Sequence, residues 1–134
     1  MALFVVAGEP VPQPRPRVST VGGFARAYVP KDHPVHAYRQ AVQLAAAAAG
    51  LRQVTTPVQV VIRCVFERPK SHFAKRGLKA AAPALPRPDV DNLAKAVLDA
   101  LGGFFDDTLV EELTVIKAYG DPARTEVAIS CSDS

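Results

Sequence analysis

Residues 87–107, Arg-Pro-Asp-Val-Asp-Asn-Leu-Ala-Lys-Ala-Val-Leu-Asp-Ala-Leu-Gly-Gly-Phe-Phe-Asp-Asp, decide how the rest of the chain is arranged. Their apolar side chains recur every three or four positions, as on one face of a helix: Val90, Leu93, Ala94, Val97, Leu98 and Leu101. This spacing predicts an amphipathic helix whose apolar face lies in the core. Pro88 suits the turn before the helix, and Asp89 suits the N-cap, where its carboxylate would accept unpaired amide hydrogens. Gly102 and Gly103 predict the end of the helix.

The start of this helix carries the residues best suited to chemistry. Asp91, Asn92, Lys95 and Asp99 share its polar flank, and Asp89 can converge with Asp91 if it lies in the extended segment before the first turn. Two neighbouring carboxylates repel unless a cation lies between them, and hard oxygen ligands favour Mg²⁺ or Mn²⁺ over zinc. Lys95 could orient a carboxylate or place positive charge beside a phosphate. The alternative is ordinary capping plus a surface ion pair between Asp91 and Lys95.

Positive charge is concentrated in two segments. An arm, residues 9–18, holds four prolines and is therefore expected to be extended and stiff, with Arg15 and Arg17 available for phosphate. A basic loop, residues 68–88, contains no acid and six of the 16 basic residues: Arg68, Lys70, Lys75, Arg76, Lys79 and Arg87. A long basic loop that leads into an acidic pair suits attraction of a nucleic-acid backbone. Both segments could instead be solvated linkers.

The pattern from Pro88 to Leu101, followed by Phe-Phe-Asp-Asp and a strand, resembles the RusA family of Holliday junction resolvases. The Pro-Arg-Pro-Arg arm is similar to the N-terminal region of phage-type relatives. The resemblance implies an active site at four matching positions: Asp89, Asp91, Lys95 and Asp107. The three acids would gather around Mg²⁺, with Mn²⁺ as a substitute, and the lysine would stabilise charge on the phosphate. The short Gly-Gly-Phe-Phe connection leaves open whether Asp106 or Asp107 is the third ligand.

The expected function is therefore Mg²⁺-dependent cleavage of branched, four-way DNA by a homodimer, since two symmetric cuts need two sites. One alternative is a junction-binding or phage accessory protein of the same fold that does not cut. Another is hydrolysis of a small phosphate ester, although the sequence has no P-loop or dinucleotide fingerprint and we expect no nucleotide cofactor.

The remaining pattern predicts one α+β domain over residues 1–134, with two helices on a mixed, largely antiparallel four-stranded sheet, as in RusA. Strands are predicted over 2–7, 58–67, 113–119 and 127–131, and the other helix over 35–49. Residues 2–7 are apolar without a break and predict a buried strand. The last two strands are expected to be antiparallel, and Gly22-Gly23 indicates a loose hairpin.

Composition limits the class of protein. With 134 residues, 49% of them hydrophobic, the chain can form a core without cross-links. Cys64 and Cys131 lie in strand-like runs and are expected to be reduced. His33, His36 and His72 are too isolated to predict a metal site. The start has no signal-peptide pattern and no apolar run is long enough to span a bilayer, so we expect a cytoplasmic protein without a membrane partner.

Overall fold

The computed structural model describes residues 1–23 and 25–131, without the side chain of Val21. In chain order, the elements of these residues are β1 (Ala2–Ala7), β2 (Arg17–Ser19), β3 (Arg26–Tyr28), α1 (Pro34–Ala48), β4 (Val58–Phe66), β5 (Phe73–Ala74), β6 (Gly77–Leu78), α2 (Val90–Ala100), β7 (Val110–Tyr119) and β8 (Arg124–Cys131). The main sheet has the order β1-β8-β4-β7, with β4 and β7 parallel and the other neighbours antiparallel. The predicted α+β fold with a mixed, mostly antiparallel sheet is confirmed.

The connection from β4 through α2 to β7 determines where the two ends of α2 lie. Parallel neighbours need a crossover, and α2 provides it by packing against the sheet. The ammonium of Lys117, near the end of β7, donates a 2.9 Å hydrogen bond to the carbonyl of Pro88, just before α2. The start of α2 therefore lies near the end of β7, and the end of α2 leads back to the start of β7.

The core lies between the two helices and one face of the sheet. The strand predicted over 58–67 is present as β4, and its inward side chains are all buried: Val58, Val60, Ile62, Cys64 and Phe66. Helix α2 adds Leu93, Ala94, Ala96, Val97 and Ala100, and α1 adds Val35, Tyr38, Val42 and Ala46. The buried hydroxyls of Tyr38 and Thr125 lie 2.6 Å apart and satisfy each other. Cys64 and Cys131 are free thiols, as predicted.

Strand β1 differs from the prediction of a fully buried strand. Its bounds are as predicted, but its burial alternates, with Leu3 69% and Val5 56% exposed. The reason is its position: β1 is an edge strand, and the face of the sheet that bears Leu3 and Val5 is the one opposite the core. Val61 and Ile116 lie on the same outer face, Val61 in the row of Leu3 and Ile116 in the row of Val5, and both are also exposed. An unbroken apolar run therefore does not mean burial on both faces here.

The ends of α2 also differ from the prediction. Asp89 is the N-cap residue by position, but its side chain makes no capping hydrogen bond. After α2 the chain continues into a 3-10 turn, Leu101–Gly103, and neither Gly102 nor Gly103 has a positive φ. The helix therefore ends without a left-handed glycine, whereas α1 is followed by Gly50 at φ 88°.

The last two strands are antiparallel in direction, as predicted, but they are not neighbours, because β4 lies between β7 and β8. The hairpin expected around Gly22-Gly23 is present as the paired strands β2 and β3. Among the described residues, no helix combines the length and the hydrophobicity needed to cross a bilayer.

Candidate active site

Asp89 and Asp91 lie together at the start of α2. Asp89 has an extended backbone, with φ −71° and ψ 143°. Its carbonyl accepts a hydrogen bond from the amide of Leu93 at 3.1 Å, and this is the first hydrogen bond of the helix. Asp91 lies in the first turn, and one of its carboxylate oxygens accepts the amide of Asn92 at 3.0 Å. Both acidic residues are exposed. Their carboxylates are therefore accessible from solvent, and the positive end of the helix dipole favours negative side chains at these positions.

The third predicted acid lies elsewhere. Asp107 opens a 3-10 turn, Asp107–Leu109, that leads directly into β7. Asp91 lies in the first turn of α2, whereas Asp107 follows the end of this helix, which has 11 residues and is therefore about 16 Å long. In the described part of the chain, no three His, Cys, Asp or Glu side chains are close enough to hold a metal ion together. Asp89 and Asp91 thus share the start of α2, and Asp107 lies beyond its other end.

Asp106 and Asp107 have different surroundings. The carboxylate of Asp106 accepts the amide and the hydroxyl of Thr108, at 2.9 and 2.8 Å. The backbone hydrogen bond from Thr108, followed by the hydroxyl bond, lowers the pKa of Asp106. Asp106 therefore caps the turn, whereas Asp107 is an exposed residue within it.

Two lysines lie near the acidic pair. Lys95 is exposed, one helical turn beyond Asp91, and the surface ion pair considered between Asp91 and Lys95 is not one of the three ion pairs formed by the described residues. Lys117 is a site residue that the sequence analysis missed. It faces the helices from β7 and binds the carbonyl next to Asp89. Its signal was a charged residue between Val115 and Tyr119, on the inward side of a strand.

The arm passes over the first turn of α2. The amide of Gln13 donates to the carbonyl of Asn92 at 2.9 Å. The Gln13 side chain also accepts a hydrogen bond from the guanidinium of Arg39, on α1. Arg15 and Arg17 follow this contact and are exposed. The arm thus brings positive charge past the helix start that holds the acidic pair.

The basic loop has more structure than the sequence predicted. It contains a 3-10 turn, Lys70–His72, and the small hairpin of β5 and β6. The guanidinium of Arg68 lies 4.1 Å from the ring centre of Tyr119 and donates to the carbonyl of Pro83 at 2.8 Å. His72 packs edge-on against the same ring, 5.6 Å between centres. Arg68 therefore joins two parts of the loop to the end of β7 through a cation–π contact and a hydrogen bond.

The other predicted basic residues of the loop are exposed: Lys70, Lys75, Arg76, Lys79 and Arg87. A cavity of about 380 Å³ lies between the base of the loop and the start of α2, with His72, Arg87, Pro88 and Tyr119 among its walls. The base of the loop, the residues just before α2 and the end of β7 line this cavity, and Glu9 and Glu67 add two acids to its wall.

An exposed acidic pair at a helix start, between two basic segments, suits binding of a divalent ion and of a phosphate backbone. Comparison with known families agrees: residues 7–130 match the family described as endodeoxyribonuclease RusA. The chain belongs to the RusA family, and this membership supports assignment to the class of Holliday junction resolvases. It is also similar to a protein of Bacillus subtilis (strain 168) named "Uncharacterized protein YqaN", with 36% identity over 134 residues, covering 94% of this chain and 93% of that protein.

Proposed function

We propose that this protein is a Mg²⁺-dependent endodeoxyribonuclease that resolves four-way DNA junctions in recombination or repair. The observation that carries the proposal is the exposed pair Asp89 and Asp91 at a helix start, set between a basic arm and a basic loop in a RusA-family chain. The positive segments would attract the DNA backbone, and the acids would act on one phosphate.

The donor set fits a hard divalent ion. Asp89 has no capping bond, and Asp91 has one oxygen that accepts no hydrogen bond from the helix start, so both can offer carboxylate oxygens. A bound Mg²⁺ would polarise the scissile phosphate and lower the pKa of an attacking water. Lys95, on the same flank of α2, would stabilise the negative charge that develops on the phosphate. Arg15, Arg17 and the exposed basic residues of the loop would hold the flanking backbone.

The position of Asp107 leads to a more specific proposal about the dimer. The acidic pair lies at the start of α2 and Asp107 follows its end, and the described residues of one chain hold no group of three side chains suited to a metal ion. A two-fold axis perpendicular to α2 reverses the helix direction in the second copy and can bring its Asp107 end beside the first copy's acidic pair. Asp107 is the better candidate than Asp106, because one carboxylate oxygen of Asp106 accepts both hydrogen bonds from Thr108 and holds that side chain as the cap of the turn. A homodimer would then carry two complete sites, one for each cut.

The direct test compares an immobile four-way junction with a linear duplex of equal length, each end-labelled and incubated with Mg²⁺ or with a chelator. We expect paired nicks in the junction with Mg²⁺ only, and loss of these nicks in Asp91→Asn. Wild-type cleavage by Asp91→Asn would contradict the metal site. Equal cutting of the linear duplex would contradict the junction specificity.

The second candidate is a junction-binding protein that does not cut. The observation that favours it is that one chain supplies only two of the three acids at the site, so a monomer would bind DNA without a complete metal site. Its signature is salt-sensitive junction binding that is indifferent to Mg²⁺, with no nicked product and a monomeric mass in light scattering.

A further inference from the structure

Lys117 occupies an unusual place for a charged side chain. It pairs in register with Cys64, which is fully buried, and it lies between Val115 and Tyr119 on the face of β7 that packs against the core. Its methylene groups can replace an apolar side chain there, while its ammonium extends to the edge of the core. The hydrogen bond to the carbonyl of Pro88 fixes the position of that ammonium.

In the part of the chain that the structure describes, no acidic side chain forms an ion pair with Lys117. The ion pairs formed by residues 1–23 and 25–131 join Arg39 to Asp99, and Arg63 and Arg124 to Glu126, and none includes Lys117. Lys117 is half-buried as a residue, and the protein partner of its ammonium is a carbonyl and not a carboxylate. An apolar residue would suit the packing of this strand better. The lysine therefore indicates a role in holding the backbone of Pro88, to which its ammonium is bonded.

That segment is the junction between the basic loop and α2. Pro88 has no amide hydrogen, so its carbonyl is the only backbone polar group through which the junction can be held at this residue. The next residue is Asp89, whose own carbonyl makes the first hydrogen bond of α2, to Leu93. Fixing the Pro88 carbonyl fixes the peptide plane between Pro88 and Asp89 and hence the direction from which Asp89 enters the helix.

We infer that Lys117 is a positioning residue of the acidic site: it ties Pro88 to β7 and so holds Asp89 beside Asp91. This inference rests on the proposed function, because the reason to hold Asp89 is the reaction proposed for the pair. Lys117 acts through the backbone and not on the ion, so its removal should leave DNA binding in place and lower the rate of the chemical step.

The test compares Lys117→Met, which keeps the length of the side chain but removes the donor, with Lys117→Arg, which restores a donor. Lys31→Met, at an exposed lysine far in sequence from the site, is the matched control. The first readout needs no activity. We expect the Leu93 amide, measured by NMR, to exchange with solvent about tenfold faster in Lys117→Met, because the first turn of α2 opens more often. The amide of Ala49, bonded to Ala45 at the other helix, should be unchanged.

The second readout separates binding from chemistry. With Ca²⁺ in place of Mg²⁺, the junction dissociation constant of Lys117→Met should stay within about twofold of wild type, while kcat with Mg²⁺ falls about 10- to 100-fold, as expected when a reacting group is misplaced. Lys117→Arg should recover most of the loss in both readouts, and Lys31→Met should match wild type. A purely structural lysine would lower Tm without this selective change at Leu93 and in kcat.

An unchanged Leu93 exchange rate in folded Lys117→Met overturns the inference and leaves the proposed function standing. If wild type does not cut junctions, the active-site role of Lys117 is overturned together with the proposed function. Should Lys117→Met fail to fold, Lys117→Gln takes its place. Its side chain is one bond shorter and would not reach Pro88, so it should show the same faster Leu93 exchange, and wild-type exchange in this variant overturns the inference.

Discussion

Mixing two inactive variants tests whether each active site is built from two chains. Asp91→Asn damages the acidic pair, and Asp107→Asn damages the acid at the other end of α2. If Asp107 acts in the partner's site, a mixed dimer has one site with both defects and one site with none. If all three acids act within one chain, both sites of the mixed dimer carry one defect each.

The expected recovery follows from random assortment. Equal amounts of the two variants, unfolded together and refolded, should give mixed dimers as about half of all dimers, each with one intact site of two. The mixture should therefore nick junctions at about a quarter of the wild-type rate. Paired cuts in one binding event should be nearly absent, because no dimer carries two intact sites.

The assay follows single nicks and linear resolution products separately, using a supercoiled plasmid that extrudes a cruciform. Each variant refolded alone is the control for residual activity, and Lys31→Met mixed with wild type controls for losses on refolding. Activity of the mixture no higher than that of the variants alone would refute the argument from the length of α2. It would mean that Asp107 serves a site in its own chain or none.

Other predictions concern stability, DNA binding and thiol chemistry. Thr125→Val should lower the free energy of unfolding by about 1–3 kcal/mol in urea denaturation, because the buried hydroxyl of Tyr38 loses its partner. Adding Tyr38→Phe should recover much of this loss, and no recovery would contradict the pairing. Arg76→Ala should reduce the slope of log Kd against log salt by about 0.9 if this residue contacts one phosphate. Arg52→Ala, on an exposed residue outside both basic segments, should leave the slope unchanged. Burial raises the pKa of Cys64 from 9.0 to about 11, so this thiol ionises in the unfolded chain before it does in the folded one. Stability should therefore fall as pH rises from 9 to 11, and Cys64→Ala should reduce that fall in denaturation at several pH values.

Local patterns predicted the parts of the fold that depend on neighbouring residues in sequence. The alternation of β4 and the stripe of α2 follow from periods of 2 and 3.6 residues, which any window of the chain contains. The position of β4 between β7 and β8 could not be predicted in this way. Consecutive strands usually pair, and the sequence around Gly120 predicts a turn, but the crossover through α2 places β7 on one edge of β4 while β8 occupies the other.

The same distinction applies to the site. Asp89 and Asp91 are two positions apart, and the structure has both at one helix start, Asp89 as the N-cap residue and Asp91 in the first turn. The place of Asp107 depends on the length and direction of an entire helix, which the motif does not contain. The alternation with Val115 and Tyr119 assigns Lys117 to the inward face of its strand, but its partner Pro88 is known only from the tertiary structure.

The separation of Asp107 from the acidic pair is fixed by packing and does not depend on a loop that could swing. Phe105, two residues before Asp107, is 3% exposed and belongs to the core. The carbonyl of Phe104 accepts the amide of Val54 at 2.8 Å, which ties this segment to the residues before β4. Moving Asp107 to the start of α2 would require withdrawal of Phe105, at a cost of about 2 kcal/mol or more in lost burial, and a break in the connection to β7. Bringing a second chain to the acidic pair requires neither change, which is why the proposed site is shared between two copies.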